Sequence, residues 1–124
     1  MSEIRKPDED LKDYLGYNRD IFMLEDIANI HAMVPGHNDD DNWYWIIELK
    51  DGRFLLTSAR CDYTGWDCQS GGSSQVAASA MEAAQLAPEK EEYTWRDIRH
   101  NLIAQLQGEQ PFGLEVTPKN PSRY

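Results

Sequence analysis

Two neighbouring runs, residues 43–50 and 53–60, are dense in aromatic and aliphatic side chains and are joined by Asp51-Gly52. Asp-Gly between such runs is the chemistry of a two-residue type I′ hairpin turn, whose central residues need positive φ. A two-residue turn also fixes the register. Leu49 then faces Phe54, Ile47 faces Leu56, Trp45 faces Ser58 and Trp43 faces Arg60. The expected core face carries Trp45, Ile47, Leu49, Phe54 and Leu56, each contributing roughly 1.5–3 kcal/mol when buried. At its far end the Arg60 guanidinium is expected to stack on the Trp43 indole, worth about 0.5–2 kcal/mol. The opposite face is mixed, which suits partial cover by helices.

The remaining elements are shorter. Residues 7–15 predict an opening helix, with Pro7 in its first turn, acids toward its positive end and Gly16 as its stop. Over residues 26–34, Ala28, Ile30, Ala32 and Val34 alternate with polar or longer residues and predict a strand. A helical stripe through Ile21, Leu24, Ile27, Ala28 and His31 competes with it. Pro35-Gly36 ends either element. Residues 69–74 read as a Gly/Ser linker, and residues 75–78 as a further short strand. Ser79 and Glu82 have capping-box spacing, so a short helix is expected to run to about Ala87. Trp95, Ile98, Leu102, Ile103 and Leu106 form one stripe of a helix that Gly108 ends, with Trp95 on its core side. The run at 89–92 reads as a solvated connection. Together these elements predict an α+β fold: a small antiparallel β-sheet of three to four strands packed against two or three helices. The 124 residues suit one domain, with residues 1–6 and 111–124 as extended or loosely attached ends.

Charge narrows the partners. Asp and Glu number 22 against 12 Lys and Arg, a formal net charge of −10. Such a field repels nucleic-acid backbones and anionic lipid, so direct nucleic-acid or membrane binding is not expected. It attracts basic protein surfaces, although surplus carboxylates also serve solubility alone. No apolar run is long enough to span a bilayer, and residues 1–6 lead into no apolar signal segment, so the expected location is cytoplasmic. Two cysteines are too few for a disulfide scaffold.

The densest chemistry is Cys61-Asp62-Tyr63-Thr64-Gly65-Trp66-Asp67-Cys68-Gln69, directly after the hairpin. Cys61 and Cys68 are separated by six residues, wider than a zinc knuckle, although His37 and His31 could complete a Cys2His2 set. Both thiols are equally at home as small buried hydrophobes. Asp62 and Asp67 flank them and oppose thiolate formation, which disfavours a cysteine nucleophile. Asp39, Asp40 and Asp41 lack the alternating ligand spacing of a calcium loop. No catalytic residue and no cofactor are assigned. Asp39, Asp40 and Asp41 enter the hairpin at the end from which Asp62, Tyr63, Trp66 and Asp67 leave it. With Trp43 and Arg60 they would form one aromatic, acidic rim, the composition of a protein-binding surface.

The same nonapeptide, following Lys50-Asp51-Gly52, resembles a Cys-Asp-Tyr-Thr-Gly-Trp-x-Cys block in small uncharacterised proteins of bacteriophages and bacteria. The resemblance extends at most from Asp26 to Gln69 and brings over no catalytic residue. It implies an accessory protein of phage or mobile-element type. The expected function is therefore a small acidic, non-enzymatic interaction protein that binds and inhibits a basic nucleic-acid-handling or defence protein of the host. The alternative is a small ligand- or zinc-binding module using Cys61, Cys68 and His37.

Overall fold

A computed structural model describes residues 4–36, 42–60, 71–91 and 95–114. Helix α1 (Glu9–Tyr17) comes first, then a single 3₁₀ turn (Leu24–Asp26) and the strands β1 (Ile27–Val34), β2 (Trp43–Leu49), β3 (Phe54–Ala59) and β4 (Gly72–Ala77). Helices α2 (Ala80–Gln85) and α3 (Ile98–Leu106) follow among the described residues. The strands form one antiparallel sheet in the order β1-β2-β3-β4, and the expected α+β class holds.

Strands β1, β2 and β3 are buried on both faces, whereas β4 is mostly exposed. Trp43, Trp45, Ile47, Leu49, Leu55 and Ala59 pack on face one with Ile30 and Met33 of β1, under Leu11 and Tyr14 of α1 and Phe22. Tyr44, Ile46 and Leu56 pack on face two with Ala32 and Val34, under Ala83 and Ala84 of α2 and Ile98 and Leu102 of α3. Strands covered on both sides lose the apolar–polar alternation, which is why Trp-Tyr-Trp-Ile-Ile runs unbroken in β2.

The hairpin differs from expectation by one residue. Leu49 N–H donates to Arg53 O at 2.8 Å and Gly52 N–H to Leu49 O at 3.0 Å, so the loop has three residues, Lys50-Asp51-Gly52. Gly52 takes φ +95°, a left-handed conformation that suits glycine, and the Asp51 carboxylate accepts from Arg53 N–H at 3.0 Å. Ile47 therefore faces Leu55, Ile46 faces Leu56 and Trp43 faces Ala59. Leu56 and Phe54 belong to face two, and the expected Trp43–Arg60 pair is not formed across the strands. Because Ile46, Ile47, Leu55 and Leu56 are all apolar, and the slip only exchanges Ser58 for Thr57 opposite Trp45, the hydrophobic pattern alone leaves the register open.

Other boundaries moved for local reasons. Asp8, not Pro7, opens α1 by accepting Leu11 N–H at 2.8 Å, and Gly16 lies inside the helix, which ends at Asn18 with a bond to Tyr14 O. The competing helical reading of residues 26–34 is excluded by β1, which carries bulges at Ala28 and His31. Gly72, Ser73 and Ser74, read as linker, are strand. Gly72 lies so close to β3 that a Cβ there would meet Ser58 O at 2.2 Å. Ser79 caps α2 as expected. Trp95 is not core: it is 51% exposed, has φ +61° and precedes α3, which Asp97 caps. Glu91, read as solvated, is buried.

Residues 4–6 and 111–114 lie against the β1 edge. Arg5 N–H donates to Asn29 Oδ1 at 2.7 Å, Arg5 O accepts from Ile30 N–H at 3.3 Å, and the guanidinium sits 4.3 Å from the Phe112 ring centre. Gln105 on α3 completes the cover. Its amide accepts from Met33 N–H at 3.0 Å and donates to Met33 O at 2.8 Å, as a neighbouring strand would.

Candidate functional site

In an antiparallel meander, alternate connections lie at the same end of the sheet. The described stems of the β1–β2 connection (residues 35, 36 and 42) and of the β3–β4 connection (residues 60 and 71) therefore share one end, opposite the Lys50-Asp51-Gly52 turn. Register agrees: Val34 pairs with Tyr44, Trp43 with Ala59, and Ala59 with Gly72. His37, Asp39, Asp40 and Asp41 belong to the first connection, and Cys61, Asp62, Tyr63, Trp66, Asp67 and Cys68 to the second. All ten lie outside the described residues. What the structure does define is the base from which both connections rise.

The stems of the first connection are held by a buried ion pair. Arg96 Nε donates to Glu91 Oε1 at 2.7 Å, and the two side chains are 6% and 8% exposed. The other guanidinium nitrogens donate to Pro35 O and Asn42 O, one on each stem. Glu91 Oε2 accepts Asn42 N–H at 3.2 Å and the Tyr44 hydroxyl at 3.1 Å. A planar fork of donors suits this task, because one guanidinium can satisfy a carboxylate and two carbonyls together. Burial, and next the Glu91 charge, hold the Tyr44 hydroxyl well above the usual tyrosine range, so it stays protonated and donating. The β-bridge between Lys90 and Asp97 and the bond from Ile98 N–H to Glu89 O tie this clamp to the start of α3.

The second connection is closed at its base by Arg60 N–H donating to Gly71 O at 2.9 Å. Between the two bases lies an open cavity of about 360 Å³ lined by Asn42, Ser58, Ala59, Arg60, Gly71 and Gly72. Arg60 is exposed beside it. Trp43 is 6% exposed, and its indole N–H donates to Asp10 Oδ2 at 3.0 Å, so its ring belongs to the core beneath the rim. Trp45 makes the matching bond to Asp8 Oδ2 at 3.0 Å. These two α1 carboxylates fix the helix across face one.

Further along face one, Asp20 Oδ2 accepts the Tyr14 hydroxyl at 3.0 Å and the Ser74 hydroxyl at 2.8 Å, while Thr57 and Ser74 hydroxyls lie 2.7 Å apart. Burial, and next Asp20, raise the Tyr14 hydroxyl above its usual range. This network ties α1 and the chain after it to β3 and β4.

Sequence reasoning placed the two connections together and missed what anchors them. Glu91 and Arg96 sit in a charged stretch with no local mark of burial, and their partners on β2 and its flanking stems are 47 to 61 residues away. Among the described residues no group of three or more His, Cys, Asp or Glu is placed to hold a metal ion. No helix among them is long and apolar enough to cross a membrane. No family model, curated protein or solved structure matches this chain.

Proposed function

We propose that this is a small acidic, non-enzymatic interaction protein that docks the connection-bearing end of its sheet onto a basic surface of a protein partner. The partner class is a protein that handles nucleic acid or serves in host defence, whose basic groove the acidic rim occupies and blocks. A phage or mobile-element origin is part of the same reading.

What supports it is that the described stems of both acid-bearing connections stand at one end of the sheet. Five aspartates belong by sequence to those two connections in a chain of net charge −10, and the stems of the first are held by the Arg96–Glu91 clamp. Charge gathered in this way raises the encounter rate with a cationic surface, and the effect falls as salt rises. Rigid stems limit the ordering cost of binding.

Affinity capture from a bacterial lysate, at low and at high salt, tests this. Wild-type protein should retain a basic protein that high salt releases, and a variant carrying Asp39→Asn, Asp40→Asn and Asp41→Asn should retain much less. Capture that is indifferent both to salt and to these substitutions contradicts an electrostatic rim.

A further inference from the structure

Among the described residues, one residue other than glycine has a positive φ: Trp95, at +61°. A left-handed backbone suits glycine or asparagine, and for a bulky side chain it is an outlier that costs free energy. Burial does not offset that cost, because Trp95 is 51% exposed and belongs to neither face of the core. Local propensity and packing both argue against tryptophan here, and strain of this kind concentrates where a chain binds or reacts.

The clamp holds the strained residue in place. Trp95 N–H donates to Glu91 O and Glu91 N–H to Arg96 O, both at 3.0 Å, so the backbone is tied on either side of it. The side chains of the same two residues, Glu91 and Arg96, bond to the stems of the first connection at Pro35 and Asn42. Trp95 is thus fixed next to the residue whose guanidinium spans both stems, at the end of the sheet that carries them.

The charges around it cancel. Glu91 pairs with Arg96, Glu89 lies 3.7 Å from Arg99, and Lys90 stands across the β-bridge from Asp97. What remains at Trp95 is the field of a chain of net charge −10, together with the negative face of the indole. Both attract a cation, and indole holds one better than the other aromatic rings do. A planar, weakly hydrated guanidinium fits that face best.

We infer that the Trp95 indole is the aromatic anchor of the docking surface and takes an arginine side chain of the protein partner against its ring. The inference rests on the docking reading above. It adds the contact that holds the complex, since exposed acids steer an encounter more than they retain it, whereas tryptophan is among the residues whose loss costs an interface most.

The probe is a peptide of alternating arginine and glycine, with a second peptide carrying neutral citrulline in place of each arginine. Each is titrated at low salt into the isotope-labelled full chain while the Trp95 indole N–H is followed by NMR. That resonance should move with the arginine peptide and stay still with the citrulline peptide. Trp95→Asn should weaken binding of the arginine peptide about tenfold, and Trp95→Phe by less. Trp95→Asn should also keep or raise the urea midpoint, because asparagine tolerates the left-handed backbone. Unchanged affinity in Trp95→Asn overturns the inference, as does an equal response to the two peptides or an absence of binding by the wild type. A midpoint that falls in Trp95→Asn overturns it too, by making Trp95 a structural residue. The variant with Asp39→Asn, Asp40→Asn and Asp41→Asn separates the anchor from the rim. If it binds as the wild type does while Trp95→Asn does not, the acidic rim fails and the anchor holds; the converse result sinks the anchor and keeps the rim.

Discussion

Arg96 and Glu91 stand five residues apart in a stretch whose composition suggests solvated surface, yet each side chain is under a tenth exposed. An ion pair taken out of water is held by its hydrogen bonds, and removing one partner leaves a buried charge uncompensated. Arg96→Met should therefore cost about 3–5 kcal/mol in urea unfolding, and adding Glu91→Gln should restore part of that loss. A cost below about 1 kcal/mol, the range of an exposed pair, would contradict the clamp. Tyr14 and Tyr44 make a second residue-scale case, since burial raises both hydroxyls above their unfolded value. The folded state keeps these protons where the unfolded chain releases them. Their stabilisation is thus complete below about pH 10 and is lost as pH climbs from there toward the folded values, at up to about 1.4 kcal/mol per pH unit per tyrosine. Tyr44→Phe should flatten the alkaline fall in urea midpoint relative to wild type. Equal slopes would show that Tyr44 does not couple protonation to folding.

At the level of elements, what could be read from the chain depended on how much of each element's cause was local. The β2–β3 hairpin was legible because its aromatic and aliphatic runs and its Asp-Gly turn sit side by side. Its register was not, since Gly52 in a left-handed conformation serves a three-residue loop as well as a two-residue turn, and apolar residues occupy both phases of the strands. Helix α2 was legible through Ser79, whose hydroxyl accepts from Glu82 N–H at 3.1 Å. The start of β4 was hidden, because Gly72, Ser73 and Ser74 have poor strand propensity and are held by pairing with Ala59, Ser58 and Thr57. The α3 stripe was half legible: Ile98 and Leu102 are core, but the buried amide of Gln105 serves Met33, 72 residues away, which no sequence window contains. The candidate site divides in the same way. Antiparallel logic brings the stems of the two connections to one end of the sheet, whereas the clamp beneath them depends on contacts remote in sequence.

For the whole molecule, the layering sets what is exposed. Among the described residues, with α1 on face one, α2 and α3 on face two and the β1 edge covered, the sheet leaves its two ends and strand β4 exposed. One end bears the stems of the two acid-bearing connections. The other bears the Lys50-Asp51-Gly52 turn, with Glu25 just before β1 and Lys50 N–H bonded to Asp26 O. Acids at both ends contribute alike to net charge, so net charge alone would make them equivalent. The decisive measurement compares Asp62→Asn with Asp67→Asn against Glu25→Gln with Asp51→Asn, two charges removed in each, by the affinity for the salt-released partner. The rim pair should weaken binding about tenfold, or 1.4 kcal/mol, and flatten its salt dependence, while the turn-end pair leaves both unchanged. Equal losses from the two ends would contradict the account, leaving the acids as a general field and not a docking surface.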